Sequence, residues 1–135
     1  AALVIWGAQW DYGALWQTRG DDHPLARHIR MILGATTMAE AREKVAAFRV
    51  ADVIAGIRCP TLVTHGERDE HVPVDHAYRV YDALRCPKEL KIFTPETGGS
   101  AHCQWDNLRI AHQAMFGWLA PTLGRKHAGR SGPGR

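Results

Sequence analysis

The stretch from Pro60 to Pro73, PTLVTHGERDEHVP, decides how this chain is read. Its first half is apolar and β-branched, the composition of a short buried strand. The chain turns at Gly66 and becomes charged, and Asp69 falls a few residues past the expected strand end. In an open α/β sheet, chemistry is done beyond the carboxyl ends of the strands. This strand and its acid therefore form the frame in which the rest of the chain is placed.

Toward the C-terminus, Pro73 and Asp75 open a helix, with Asp75 as its cap and Ala77, Val80, Tyr81 and Leu84 as its buried stripe. Pro87 follows its end, and Leu90 to Phe93 gives the next strand. Strand, helix, strand in this order predicts a parallel βαβ unit. The loop from Pro95 to Ala101, PETGGSA, consists largely of turn formers and delivers His102. Asp106 or Asn107 caps a last helix that places Leu108, Ala111, Met115, Trp118 and Leu119 on one face.

Toward the N-terminus, a connection of more than fifty residues leads back to Leu3–Trp6, read as a parallel, fully buried strand closed by Gly7. Trp10, Tyr12 and Trp16 follow as an aromatic cluster, suited to lining a pocket or to packing between sheet and helices. Residues 20–56 read as helical. Leu25, Ile29, Ile32 and Leu33 share a face, Pro24 suits a first turn, and Gly34 is the stop. Thr37 and Glu40 form a T-x-x-E capping box ahead of Met38, Ala41, Val45 and Phe48. A short helix over residues 51–54 leads into the central strand. So long a connection exceeds a minimal crossover and reads as a cap-like insertion over about 17–56, against the plainer alternative that the helices only cover the sheet.

Bulk properties exclude several classes. At 135 residues the chain is one domain at most. Its net charge of +3 comes from a basic tail, 124–135, that carries Arg125, Lys126, Arg130 and Arg135, reads as disordered, and gives no nucleic-acid-binding face. Three cysteines without CxxC spacing (Cys59, Cys86, Cys103) suggest reduced thiols and a cytoplasmic location, and no apolar run reaches a membrane-spanning length. The sequence opens AALVIWG, without an initiating Met and inside an expected strand, which suggests a piece of a longer chain.

Asp69 and His102 carry the chemistry. Adjacent parallel strands bring both to one sheet edge, where a carboxylate fixes the tautomer of an imidazole that takes a proton from a nucleophile. The order acid, then histidine, is that of the last two members of an α/β-hydrolase triad. Other titratable groups have plainer readings. His65 packs or hydrogen-bonds at the strand end, and His71 and His76 are solvated. Cys103 adjoins His102 in sequence, and such neighbours point differently, which speaks against a Cys–His nucleophile pair. His65, His71, His102 and Cys103 show no recognised zinc spacing, so no metal or cofactor is expected.

The phrases CPTLVTHGERDEHVP and GGSAHC, followed by an amphipathic helix, resemble the C-terminal half of an α/β-hydrolase. They are most similar to the branch holding prolyl-oligopeptidase-like, dienelactone-hydrolase-like and pseudooxynicotine-hydrolase-like enzymes. The resemblance spans residues 3–123 and implies a partial α/β-hydrolase fold, with three parallel strands equivalent to strands 6–8, flanking helices and cap helices. It gives Asp69 and His102 the acid and base positions. It implies a serine hydrolase acting on an ester, an amide or a ketone-type C–C bond of a small-molecule carbonyl substrate. The G-x-S-x-G nucleophile elbow is absent from the sequence, and the only serines are Ser100 and Ser131. The nucleophile and oxyanion hole are therefore expected in a missing N-terminal half, and this chain alone is expected to be inactive. Trp6, Trp10, Tyr12 and Trp105 are candidate substrate-binding residues. The alternatives are a non-catalytic interaction module derived from a hydrolase and, behind it, a Cys/His metal or thiol enzyme. No nucleic-acid or membrane partner is expected, and homo-oligomerisation stays open.

Overall fold

A computed structural model describes residues 1–124. Three strands, β1 (Leu3–Trp6), β2 (Thr61–Gly66) and β3 (Lys88–Phe93), form one parallel sheet in the order β1-β2-β3. Between β1 and β2 run helices α1 (Tyr12–Thr18), α2 (Ala26–Leu33) and α3 (Met38–Val45) and two 3-10 turns, Val50–Asp52 and Ile54–Gly56. Helix α4 (Asp75–Ala83) joins β2 to β3, and α5 (Leu108–Gly124) ends the described chain. This is a partial α/β-hydrolase fold.

The two-residue period of the strands sorts their side chains onto two faces. Val63, with its register partners Ile5 and Leu90, faces α4 and packs with Ala77, Val80, Leu84 and Ile54. Leu62 and its partner Val4 face the opposite way, onto Ala111, Met115 and Trp118 of α5. Every residue of β2 is buried, as its apolar, β-branched composition requires of a strand flanked on both edges. β1 departs from expectation, being only half-buried, with Trp6 39% exposed. Among the described residues it pairs with β2 alone, so its other edge lacks the cover that buries a central strand.

Helices α1–α3 make a core of their own from Trp16, Ala26, Ile29, Met38, Ala41 and Val45. The segment leaves and re-enters the sheet domain at one place. Asp11 bridges Arg49 in antiparallel fashion, Tyr12 N–H donates to Phe48 O, and Val50 N–H donates to Trp10 O. The helical excursion thus starts earlier than 17. Asp11 is the N-cap of α1, its carboxylate accepting from Ala14 N at 2.8 Å. Gly13 lets α1 approach α3, since an added Cβ would meet the backbone of Val45 and Ala46. Gly34 ends α2 in the left-handed region, at φ 59°. The four-residue stripe expected on α2 is narrower, because Ile29 is buried while Leu25 and Ile32 face outward. Phe48, expected in line with Met38, Ala41 and Val45, lies beyond the end of α3 and is exposed.

Of the two cap readings, the one at α4 needs correction and the one at α5 is decided between its alternatives. Asp75 is the first residue of α4 and pairs with Arg79 at 3.1 Å, and the helix has no side-chain cap. At α5 the duties divide: Asn107 Oδ1 accepts from Ile110 N at 3.3 Å, while Asp106 turns back to the loop before it. Of the tail read as disordered, Gly124 closes α5 and the remainder lies outside the described residues.

Candidate active site

The turn after β2 holds Asp69 by its own backbone. Asp69 Oδ1 accepts from His71 N and Val72 N, each at 2.8 Å, an Asx-type turn that fixes the carboxylate before any other side chain arrives. Its side chain is fully buried. His102 arrives from the loop after β3. Gly98 and Gly99 take φ of 78° and 80°, which only glycine adopts without strain, and Asp106 accepts from Ser100 N and Ala101 N at 3.1 and 3.2 Å. The loop backbone then crosses β2 at Gly66, where an added Cβ would collide with the carbonyl oxygens of Ser100 and Ala101. Arg68 N–H donates to Ser100 O at 2.9 Å, closing the two loops on one another.

The result is a direct contact: His102 Nδ1 lies 2.8 Å from Asp69 Oδ2. A carboxylate only accepts, so the hydrogen belongs on Nδ1 and Nε2 carries a lone pair that can accept. The His102 side chain is about one-third exposed. The His71 ring meets it in a T-shaped contact, with centroids 4.9 Å apart and planes at 83°.

Cys103 departs from the sequence expectation. Its backbone takes φ 47°, rare for a residue with a side chain, and this folds the thiol back to 3.6 Å from His102 Nε2. The sulfur covers Gly7, where a Cβ would clash with it. Burial first, and then the nearby Asp69 charge, raise the Cys103 pKa above its ordinary value. His76, expected to be solvated, is buried, and its Nδ1 accepts from Trp10 N at 3.0 Å. Burial lowers its pKa, in keeping with a ring that must accept a hydrogen bond. Among the described residues, no group of three or more His, Cys, Asp or Glu is placed to hold a metal ion. Nor is any helix there long and apolar enough to cross a membrane.

The four aromatic candidates separate. Trp105 is 72% exposed and borders a cavity of about 70 Å³ with Arg68, Glu70, His71, Ala101 and His102. Trp6 reaches the same loop from β1, its Nε1 donating to Gln104 Oε1 at 2.7 Å. Trp10 packs into the core between sheet and α4, and Tyr12 sits edge-on to Trp16, so neither borders the cavity at His102. A second cavity of about 400 Å³ shares Glu70 and His71 with the first and is completed by Leu15, Thr18, Arg19 and His23. Arg19 donates to His71 O at 2.8 Å, which ties the helical excursion to the site. The signals that sequence reading missed were Asp11, a cap three residues ahead of Ala14, and the pairing of His71 with His102, which depends on the turn at Asp69.

A buried acid after one strand, met by a histidine from the loop after the next at the carboxyl edge of a parallel sheet with helices on both faces, defines the α/β-hydrolase class. Within it, residues 15–126 match the model of the prolyl oligopeptidase family, and the chain belongs to that family. It is 28% identical over 85 residues to the uncharacterized peptidase YtmA of Bacillus subtilis (strain 168), covering 63% of this chain and 32% of that protein. Among solved structures, it resembles 2,6-dihydroxy-pseudo-oxynicotine hydrolase with a TM-score of 0.67 and 30% identity, over 88% of this chain and 32% of the other. Est1E from Butyrivibrio proteoclasticus shares the fold at a TM-score of 0.53 and 19% identity, over 65% of this chain and 34% of its own. The chain thus spans about a third of the length of these relatives.

Proposed function

We propose that this chain is the acid-and-base portion of a serine hydrolase whose nucleophile and oxyanion donors lie on a segment outside this sequence. The observation that carries the reading is the 2.8 Å contact between His102 Nδ1 and Asp69 Oδ2. Family membership supports it, as does the absence of a G-x-S-x-G elbow from the 135 residues. In the intact protein, His102 Nε2 takes the proton of the serine hydroxyl as Oγ bonds to a carbonyl carbon and the carbonyl π pair moves onto oxygen. When that pair returns, the bond to the leaving atom breaks and Nε2 gives the leaving atom its proton. Water, deprotonated by the same nitrogen, then bonds to the acyl carbon, the bond to Oγ breaks, and Nε2 returns the proton to Oγ. Asp69 holds the ring in the required tautomer throughout. The scheme serves esters, amides and ketone-type C–C bonds of small carbonyl substrates. The helical excursion acts as a cap, contributing Arg19 and His23 to the cavity beside His71.

A fluorophosphonate probe tests this. It should label a protein that carries the upstream segment and leave this chain unlabelled. Asp69→Asn in the longer protein should lower kcat on the order of 10⁴-fold, because the ring loses the group that selects its tautomer. Labelling of this chain alone at Ser100 or Ser131, or an unaffected Asp69→Asn enzyme, would refute the reading.

One observation favours a second reading, that of a thiol enzyme: Cys103 Sγ lies 3.6 Å from Nε2, on the side a nucleophile needs. The raised thiol pKa opposes it, since the thiolate is the reactive form. Iodoacetamide decides between them: fast alkylation of Cys103 at neutral pH supports the thiol enzyme, and slow alkylation that accelerates only in alkali supports the serine enzyme.

A further inference from the structure

His65 is the one buried histidine at the site to which the proposed chemistry gives no task. It is the penultimate residue of β2, fully buried, with Nε2 2.9 Å from Val72 O and 3.4 Å from Asp69 Oδ2. A carbonyl oxygen only accepts, so the hydrogen belongs on Nε2. That N–H is given to Val72 O, and the ring nitrogen lies beside Asp69 Oδ2 without bonding to it. The other ring nitrogen, Nδ1, is buried without a hydrogen-bond partner among the described residues. A buried polar atom without a partner is a cost that leucine or phenylalanine at position 65 would not carry, so packing alone does not account for an imidazole here.

The Nε2–H bond to Val72 O does account for it. Val72 is held at both ends of its backbone: its N–H on Asp69 Oδ1 and its carbonyl on His65. Asp69 itself accepts three hydrogen bonds, two from backbone N–H groups at Oδ1 and one from His102 at Oδ2, and the turn that supplies Val72 N–H is tied down by His65. A carboxylate offers about four lone-pair sites and three are filled here, so any rotation about its terminal bond breaks several contacts together.

We propose that His65 is a positioning residue. Its Nε2–H, donated to Val72 O, locks the turn whose Val72 N–H holds Asp69 Oδ1, so that Oδ2 faces His102 Nδ1. The proposal rests on the Asp69–His102 pairing and assigns it a third member, one that touches no substrate.

The test is NMR on the full 135-residue chain with ¹⁵N-labelled histidine, which needs no upstream segment. The expected wild-type spectrum shows His65 as the Nε2–H tautomer and a slowly exchanging, far-downfield His102 Nδ1–H that disappears in Asp69→Asn. His65→Gln, which offers an amide N–H in place of Nε2–H, should retain the His102 resonance. His65→Leu, similar in bulk but without a donor, should lose it or shift it upfield with faster exchange while the backbone spectrum stays dispersed. If His65→Leu keeps the resonance unchanged, or if wild-type His65 carries its hydrogen on Nδ1, the proposal is overturned while the Asp69–His102 pair stands. The tautomer reading comes from the wild-type protein and holds even if His65→Leu does not fold. A wild-type spectrum with no Asp69-dependent His102 resonance overturns the pair itself, and the role of His65 with it.

Discussion

The sheet with α4 and α5, and the helical excursion between Asp11 and Arg49, solve the burial problem differently. In the sheet each strand residue has one of two faces to choose from, and both faces are covered, Val63 toward α4 and Leu62 toward α5. In the excursion three short helices enclose one small core around Trp16 and leave Leu25, Met31, Ile32 and Phe48 exposed. The contacts between Asp69 and His102 arise entirely from loops of the sheet portion. The excursion reaches them through Arg19 and the cavity at His71. Geometry that must be exact is thus carried by the region with the denser constraints, and the looser region supplies the walls of a cavity.

That division can be broken outright. Trp16 is the largest buried side chain of the excursion. Trp16→Ala should cost about 3–5 kcal/mol, the range for removing a large aromatic from a core. If the two cores are separable, hydrogen exchange will show α1–α3 losing protection while Thr61–Gly66 and Lys88–Phe93 keep theirs. Loss of protection in all of them at once would show a single cooperative unit and end the comparison. The next largest effect strikes the other side. Gly66→Ala forces a Cβ against the backbone of residues 100 and 101, an overpacking that should cost about 1–3 kcal/mol. Because that backbone carries His102, the His102–Asp69 contact should lengthen even in molecules that remain folded, and the His102 side-chain N–H resonance reports it.

The same contrast explains what was legible in the sequence. β2, α4, β3 and α5 were readable because their patterns are local: a β-branched run, a 3.6-residue stripe, a proline after a helix. The loop glycines and the order of acid and histidine placed Asp69 and His102 at one edge. Residue type alone could not place His76, since its burial follows from a backbone N–H at Trp10, 66 positions away. Cys103 was misjudged because sequence neighbours normally diverge, whereas a left-handed φ turns this one back. In the excursion, aromatic residues and Gly13 obscured α1, and the apolar count on α2 exceeded what its neighbours could cover.

His76 gives a smaller and pH-dependent effect. Its imidazole accepts the Trp10 N–H, and burial lowers its pKa from the ordinary 6.5. Below pH 6.5 the unfolded chain takes up a proton that the native ring resists, so stability falls as pH drops from about 6.5 toward the lowered native value. His76→Leu should remove that dependence and cost about 1–3 kcal/mol at neutral pH, since it leaves the Trp10 N–H buried without a partner. Urea titrations of both proteins between pH 5 and 8 measure the difference, and a wild-type curve flat across that range would contradict the buried, neutral ring.

The smallest effect lies at the start of α3 and separates the two regions along the pH axis. Thr37 Oγ1 accepts from Glu40 N at 3.1 Å, but the Glu40 carboxylate reaches back to Thr36 N at 2.8 Å instead of to Thr37, so the capping box closes one residue early. Lys44 first, and then Thr36, hold the Glu40 carboxyl down to about 2. A carboxyl lowered on folding contributes stability above its unfolded pKa, near 4.5, and loses it as pH falls toward 2. Thr37→Ala should cost about 1 kcal/mol at neutral pH, as loss of an N-cap does. Acid should therefore reach the two regions in sequence: α4 and its bond to Trp10 weaken below 6.5, whereas the Thr36 amide stays protected until the pH drops under 4.5. Were the Thr36 amide to lose protection in the same window as the amide of Trp10, the excursion would have no independent cap, and its end would be held by the sheet portion instead.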